Sequence, residues 1–220
     1  MGIISVEQAD RLYWLGRYTE RVYTTLRMFC QSFDVMIDEL GDSYREFCKK
    51  LDIPDSYGDK AAFLKQYPFD CENPDSIISN LDRAYGNAVV LRESIGSEAL
   101  SYIQLAVYEM NKASASKAPL IELQHVIDDL LAFWGIADDQ IDSEQIRNII
   151  KAGKRIERID LYARLGAGGK ELAREVHRMI PRVERSGLEY EPDKLTLLKD
   201  LAEETGPDYY RIVRLAETIL

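Results

Sequence analysis

The feature that most constrains the fold is an apolar seam that runs without interruption through residues 12–40. Its apolar side chains recur at steps of three and four positions, the spacing that places residues on one face of an α-helix. Gly16 is the only glycine in this stretch, which contains no proline, and the next break signal is Gly41. Ser5 followed by Gln8 is a capping box, which is typical of a helix start. The sequence therefore predicts one helix of roughly 35 residues, about 50 Å long.

The rest of the chain is also helical by its spacing. Asn73-Pro74 predicts a second helix start, with asparagine as N-cap and proline at the first helical position. A later helical segment is expected to end at Gly135. No hairpin signal and no sustained run of period two is present. We predict an all-α antiparallel helical bundle, because short loops place consecutive helices antiparallel. Residues 1–220 are predicted to form a single domain, with residues 41–72 as an irregular excursion.

Charge and cysteine usage narrow the possible partners and the location. The formal net charge is −10 and the pI about 4.8, so the surface on balance repels nucleic-acid phosphates and anionic lipids. The three cysteines form no CxxC pair, which fits a reducing compartment. The N-terminal segment lacks the features of a secretory signal, and no stretch approaches the ~20 apolar residues of a membrane span. We therefore predict a cytoplasmic protein that binds neither nucleic acid nor membrane.

The long helix carries a charged pattern that returns later in the chain. The first copy lies within YWLGRYTERVYTTLR at residues 13–27, and the second is GKRIERIDLYAR at residues 153–164. With an offset of 137 positions, the copies align as Gly16 with Gly153, Arg17 with Lys154, Glu20 with Glu157, Arg21 with Arg158, and Arg27 with Arg164. Because the apolar seam and the charged stripe both repeat, the sequence predicts an internal pseudo-repeat whose two helices are structural mates.

Two interpretations of this charged stripe remain open. On a helical wheel, Arg17 and Glu20 point away from the apolar seam, which favours a solvated face. The residue four positions after Glu20 is Thr24, so the usual pair between positions i and i+4 is missing. The large side chains of Trp14 and Tyr18 instead suggest burial on more than one side. Buried Glu–Arg pairs on facing helices would need cross-pairing, and arginine forks suit carboxylate or phosphate. The stripe is thus either a set of structural ion pairs or a ligand or partner site.

A second polar row follows the Asn73 helix start. Its members, spaced four, three and four positions apart on one helix face, are Ser76, Asn80, Arg83 and Asn87, with Arg92 and Glu98 further on. Two asparagines on one face are mildly unusual for a merely solvated surface, since asparagine is a middling helix former. A solvated face and a binding face both remain open for this row.

The sequence offers no convincing metal or cofactor site. A di-metal bundle needs Glu-x-x-His on two helices, and only Glu122 with His125 matches, because Arg174 stands three positions before His177. No cluster of cysteine and histidine fits zinc, and no glycine-rich loop fits a phosphate. We therefore predict no metal and no cofactor.

Three stretches of the chain resemble the bacterial alpha-E family, a group of all-helical proteins. They are ADRLYWLGRYTERVYTTLR at 9–27, NPDSIISNLDRAYGNAVVLRESIGSE at 73–98 and GKRIERIDLYAR at 153–164. They resemble, in order and rough spacing, the family's opening Trp-x-Gly-Arg-x-x-Glu-Arg motif, its central Asn-Pro motif ending in Arg-x-x-Ile-Ser-x-Glu, and its late Gly-x-x-x-Glu-Arg motif. The chain departs from the central motif at Gly86, at Gly96 and at Ala99-Leu100, where the family has a charged residue, a serine and a nearby tryptophan.

The resemblance implies a functional context. Genes of the family commonly lie beside, or are fused to, a circularly permuted ATP-grasp protein, often with a transglutaminase-like or amidohydrolase partner. That context implies the handling of amide-linked peptides or modified amino acids, with the ATP-grasp partner activating a carboxylate. We expect this chain to be a partner or substrate-binding subunit of such an amide ligation system, with a peptide or amino-acid-like substrate. The alternatives are a stand-alone helical-bundle transferase and a purely structural interaction protein.

The residues expected to form the site come from both copies of the repeat and from the central motif. Arginines would hold a carboxylate or phosphate, and glutamates would orient them, meet an amine or act as acid and base. The candidate ligand-binding residues are Arg17, Arg21, Arg27, Arg83, Asn87, Arg92, Arg158 and Arg164. The candidate catalytic residues, should the chain be an enzyme by itself, are Glu20, Glu98 and Glu157.

Overall fold

The computed structural model describes residues 4–38 and 43–220. The α-helices are α1 (Val6–Asp38), α2 (Ser43–Lys50), α3 (Lys60–Gln66), α4 (Ile77–Val90), α5 (Arg92–Ile95), α6 (Ser97–Ala115), α7 (Pro119–Gln140), α8 (Glu144–Leu165), α9 (Gly169–Glu184), α10 (Pro192–Glu203) and α11 (Tyr209–Glu217), and a 3₁₀ helix covers Tyr67–Phe69. The described ranges contain no β-strand, so the predicted all-α class is confirmed. None of the described helices combines the length and apolar character needed to cross a membrane.

Helix α1 confirms the long helix that the apolar seam predicts. It runs for 33 residues, from Val6 to Asp38. Ser5 caps its start as expected, because the backbone N–H of Gln8 donates to Oγ of Ser5 at 3.1 Å, but the Gln8 side-chain amide donates to Oγ of Ser94 at 2.7 Å. The expected end near Gly41 lies outside the described residues. Helix α1 packs against α4, α7 and α8 and so occupies the centre of the structure.

Two helix boundaries differ from the sequence prediction. Helix α4 begins at Ile77 with Ser76 as its N-cap, three residues after the predicted start. Asn73 instead holds the preceding segment, since its side-chain amide donates to the hydroxyl of Tyr57 at 2.7 Å. Helix α7 continues past Gly135. A glycine inside a helix costs only about 1 kcal/mol relative to alanine, so it does not by itself end a helix.

The predicted irregular excursion is a packed segment. Within it, the described residues 43–72 form α2, α3 and the 3₁₀ helix. The rings of Phe63 and Tyr67 stack with centroids 5.0 Å apart. Phe63 also meets Phe29 of α1 edge-on at 6.1 Å, and Tyr57 at 5.6 Å. All four rings are buried, so aromatic packing fixes this segment against α1.

The hydrophobic core consists of two clusters that share helix α8. The larger cluster joins the seam of α1 to α4, α6, α7 and the first part of α8. The smaller cluster lies between the remainder of α8 and helices α9, α10 and α11. The side chain of Tyr13 packs against both clusters. A single domain over residues 1–220 stays a prediction.

Candidate functional site

The backbones of helices α1 and α8 are in close contact at two glycines. A Cβ on Gly16 would overlap the carbonyl oxygen of Ile150 and lie 3.1 Å from the backbone nitrogen of Lys154. A Cβ on Gly153 would overlap the carbonyl oxygen of Tyr13 and lie 3.2 Å from the backbone nitrogen of Arg17. Only glycine permits such close contact between helix backbones. The two contacts are equivalent. Gly16 meets Ile150 and Lys154, and Gly153 meets the residues 137 positions earlier, Tyr13 and Arg17. The same offset of 137 aligns the two sequence copies.

The glutamates of the two copies cross-pair with arginines of the opposite helix. Glu20 accepts hydrogen bonds from Nε and Nη2 of Arg158 at 2.6 and 2.9 Å. Glu157 accepts hydrogen bonds from Nε of Arg17, at 2.7 Å, and from Nε of Arg21. Thr24 donates a further hydrogen bond to Glu20 at 2.7 Å. We call this set of contacts the cross-paired network.

The Arg17–Glu20 part of the charged stripe is therefore buried under α8 and is not a solvated face, whereas Arg27 at the end of the stripe is exposed. Both glutamate side chains are 0% exposed. The contacts also show that α1 and α8 run in the same direction, since Gly16 lies against Ile150 and Glu20 against Arg158. We predicted antiparallel packing because short loops join consecutive helices. That reason does not apply to α1 and α8, which are not consecutive in the chain.

The surroundings of Glu157 keep it ionised. Burial raises the pKa of this carboxyl, but the charges and hydrogen bonds of Arg21 and Arg17 outweigh burial and hold the pKa below its ordinary value. The pKa values of Arg17 and Arg158 lie above their ordinary value, because the paired carboxylates outweigh the burial that lowers them. Every charged member of the network has a partner of opposite charge, which offsets the large desolvation cost of buried ions.

Lys154 breaks the correspondence between the two copies. It stands where the first copy has Arg17, but its ammonium lies 3.7 Å from the ring centroid of Trp134. Burial lowers the pKa of Lys154 to about 7, while the charge of Glu20 raises it. The ring contact also favours the charged form, since an aromatic face attracts cations.

Replacing Lys154 by Met is expected to flatten the dependence of stability on pH. The pKa of Lys154 falls from 10.5 to about 7 on folding, so between these values the unfolded chain binds more protons. The contribution of Lys154 to the stability of the wild type therefore rises with pH in this window, by up to about 1.4 kcal/mol per pH unit. Urea unfolding of both proteins near the two ends of this window measures the difference in slope. Equal slopes would show that Trp134 and Glu20 keep the ammonium charged.

A polar cavity lies beside the cross-paired network. Its volume is about 250 Å³, and it is bounded by α1, the segment before α3, the start of α4, α8 and α11. Its lining residues are Arg21, Val22, Thr25, Leu51, Asp52, Ile53, Tyr67, Asp75, Ser76, Ile77, Asn80, Asp160, Leu161, Arg164 and Glu217. Four of the nine buried lining residues are polar, namely Thr25, Ser76, Asn80 and Asp160, which is unusual for an interior and indicates a place that water or a polar ligand occupies. We call this space the α1–α8 cavity.

Two side chains bring opposite charges to the α1–α8 cavity. Arg21 belongs to the cross-paired network through Nε, and no hydrogen bond from its terminal nitrogens reaches another described residue. Asp160 is 2% exposed and uses Oδ1 to accept a hydrogen bond from Arg164 at 2.9 Å. Burial and the neighbouring charge of Glu157 raise the pKa of Asp160 to about 6, although Arg164 lowers it. The carboxyl group of Asp160 and the guanidinium group of Arg21 thus line the same cavity.

Arg164 closes one side of the cavity. Besides Asp160, its guanidinium pairs with Asp52 and, at 3.1 Å, with Glu217 of α11. These pairs tie α8 to the segment before α3 and to the C-terminal helix. Arg164 is therefore saturated by carboxylates, which makes it a support for the cavity wall.

Arg83 and Asn87 of the central motif lie away from the α1–α8 cavity, whereas Ser76 and Asn80 of the same polar row line it. A groove of about 600 Å³ between α1 and α4 includes Arg83 and Asn87 together with Trp14 and Tyr18. The rings of Trp14 and Tyr18 stack with centroids 5.1 Å apart. The Arg83 guanidinium lies 5.7 Å from the Tyr18 ring centroid and donates to the carbonyl of Pro74 at 2.8 Å. Arg83 thus does not converge with the two glutamates.

The other three predicted residues make separate local contacts. Arg27 is exposed and donates to the hydroxyl of Tyr23 at 3.3 Å. Arg92 is exposed and donates to Ser97 at 3.1 Å. Glu98 is exposed in the first turn of α6. It accepts a hydrogen bond from Gln140 at 2.6 Å. None of these three lines the α1–α8 cavity or the α1–α4 groove.

The model of the Alpha-E family, described as a predicted alpha-helical domain with a conserved ER motif, matches residues 7–186. The chain belongs to the Alpha-E family. The Glu-Arg pairs at 20–21 and 157–158, which build the cross-paired network, both lie within the matched residues. No curated protein and no solved structure matched the chain.

The sequence pattern of this Alpha-E chain does not predict Asp160 as a site residue. Asp160 aligns with Tyr23 in the 137-residue offset, so the repeat does not mark it. The available signal was its position, four residues before Arg164 and between the apolar Ile159 and Leu161 on one helix. An acidic residue with a basic partner one turn later, within an apolar stretch, is a candidate for burial. Among the described residues, no group of three metal-ligating side chains is present.

Proposed function

We propose that this Alpha-E protein is the substrate-binding partner subunit of an ATP-grasp-type amide or peptide ligation system. The observation that carries the proposal is the α1–α8 cavity, where Arg21 and Asp160 bring opposite charges to one partly open space. In such a system the ATP-grasp protein activates one carboxylate with ATP. The second substrate must be held in place until its amine attacks the activated acyl group. A small cavity with one wall fixed by buried ion pairs is suited to that task, because a positioned nucleophile reacts faster.

The contacts of the predicted glutamates favour a binding role over a stand-alone transferase. A general acid or base works best with a pKa near the working pH. The pKa of Glu157 is held below its ordinary value by two arginines, and both oxygens of Glu20 are bonded to Arg158. Glu98 lies on the surface at the start of α6. These environments support structural roles for Glu20 and Glu157.

A reconstitution with a circularly permuted ATP-grasp protein from the same genome tests the proposal. We expect the two proteins to co-elute in gel filtration. We expect ATP-dependent amide formation only when both proteins are present. ADP release and the mass of the product measure this reaction. Full ligation by the ATP-grasp protein alone would contradict the proposal. Amide formation by this chain alone would instead support the stand-alone transferase.

Filling the α1–α8 cavity is expected to slow this ligation. Thr25 lines the cavity at 5% exposure, so Thr25→Met places a longer side chain in the space. We expect the ligation rate to fall by about tenfold or more, with co-elution retained. Thr196→Met, at an exposed position of α10, is the matched control and should leave the rate unchanged. A full rate for a folded Thr25→Met protein would place the substrate elsewhere.

A further inference from the structure

We infer that the α1–α8 cavity binds a small molecule with a primary ammonium group and a carboxylate, as in a free α-amino acid. The ammonium lies against Asp160 and Asp75, and the carboxylate lies against the terminal nitrogens of Arg21. This inference deepens the proposed function by naming the class of the second substrate, and it rests on that function only for the ligand's later use as an acceptor amine. The binding itself follows from the cavity.

The charges of the cavity favour a cation. Its ionisable lining holds four carboxylates and two guanidinium groups. Arg164 is occupied by Asp160, Asp52 and Glu217, and Arg21 is occupied through Nε by Glu157. Asp75 has no ion pair with any described residue, and Oδ2 of Asp160 accepts no hydrogen bond from one. An ammonium group with three N–H donors would satisfy these free oxygens.

One end of the cavity favours an anion. Arg21 is fixed by its Nε hydrogen bond to Glu157, so its two terminal nitrogens are held in a constant orientation. A guanidinium edge with two parallel N–H groups matches the geometry of a carboxylate. Thr25, which is 5% exposed and lines the same space, adds a hydroxyl that makes no hydrogen bond to a described residue.

The size of the cavity limits the ligand. A volume of about 250 Å³ lies below the ~300–1,000 Å³ typical of pockets for drug-sized molecules. Nucleotides and long peptides are therefore too large, whereas a single amino acid fits. The cavity is partly open to solvent, but most of its lining residues are buried or half-buried, so water screens both charge contacts less than on an open surface.

Binding is expected to depend on the ionisation of Asp160. The charged groups around this carboxyl are Glu157 and Arg164 on its own helix, Arg17 and Arg21 on α1, Asp52 before α3, Asp75 before α4 and Glu217 on α11. Burial and Glu157 raise the pKa of Asp160 to about 6. Below this value the carboxyl is neutral and no longer attracts an ammonium. An amino acid stays zwitterionic across the same range, so the affinity should fall as the pH falls through about 6.

Ligand-detected NMR and calorimetry with L-alanine, propionate and propylamine test the inference on the isolated chain. Propionate lacks the ammonium and propylamine lacks the carboxylate. We expect L-alanine to bind at least about tenfold more tightly than either analogue. Its affinity should fall by about tenfold from one pH unit above the pKa of Asp160 to one pH unit below it. Asp160→Asn should weaken the binding of L-alanine by about tenfold and remove this pH dependence.

The controls separate binding from folding and from the proposed function. Asp200→Asn, at an exposed position of α10, should bind L-alanine like the wild type. Should Asp160→Asn fail to fold, the pH series and the three ligands on the wild type decide alone. Absence of L-alanine binding at millimolar concentration, or equal binding of either analogue, overturns the inference. Co-elution and ligation with the ATP-grasp protein are measured separately, so either proposal can fail without the other.

Discussion

Replacing Glu157 by Gln is expected to destabilise the protein by about 3–5 kcal/mol. The carboxylate is fully buried and accepts hydrogen bonds from Arg17 and Arg21. Glutamine keeps the size of the side chain but carries no charge, so two guanidinium groups lose their counter-charge, and that of Arg17 is almost fully buried. Urea unfolding followed by far-UV circular dichroism measures the loss.

Two comparisons make the Glu157 prediction specific. Glu184→Gln, at an exposed position of α9, should change the free energy of unfolding by less than about 0.5 kcal/mol. Because the arginines hold the folded pKa of Glu157 below its ordinary value, the stabilisation from this group is present above about pH 4.3 and is lost in stronger acid. The difference between the wild type and Glu157→Gln should therefore shrink as the pH falls below about 4. A loss under about 1 kcal/mol at neutral pH would show that the arginines find other partners or water.

Gly16→Ala is expected to destabilise the protein by about 1–3 kcal/mol or more, and Gly153→Ala by a similar amount. The new Cβ at residue 16 would overlap the carbonyl oxygen of Ile150, which belongs to a helix backbone and cannot rotate away. Helices α1 and α8 would have to separate. That separation would also lengthen the hydrogen bonds between Glu20 and Arg158. Thermal and urea unfolding of both variants give the loss.

Gly135→Ala is the matched control for the helix-contact glycines. Gly135 lies inside α7, and a Cβ there would meet no atom within 4 Å. Alanine is the better helix former by about 1 kcal/mol, so Gly135→Ala should be as stable as the wild type or more stable. If Gly16→Ala matched Gly135→Ala in stability, the close approach of α1 and α8 would be disproved.

The helical class and the long α1 could be predicted from local pattern. Apolar spacing of three and four residues and the Ser5 cap act within one helix, so they can be recognised without a partner. The start of helix α4 could not be predicted from local pattern, which placed it at Asn73. That side chain bonds to Tyr57, which the sequence does not place nearby, and Ser76 takes over as the N-cap.

The candidate site could be predicted only in part. The repeat led to Glu20, Arg21, Glu157 and Arg158 because both copies carry the same Glu-Arg pair. A helical wheel placed these charges opposite the seam but could not tell water from a second packed helix. Asp160 was missed because its burial depends on contacts with segments distant in sequence, namely α1, the segment before α3 and α11.

The sequence alone determined that this protein is all-helical, that one long helix dominates it and that a glycine and a Glu-Arg pair occur twice at the same spacing. These are properties of a single helix and its composition. The tertiary structure decided that α8 covers the charged face of α1, that Glu20 and Glu157 exchange arginine partners and that a polar cavity forms beside them. The reason is that burial and ion pairing are properties of two surfaces in contact. A sequence pattern specifies each surface but does not state which one it meets.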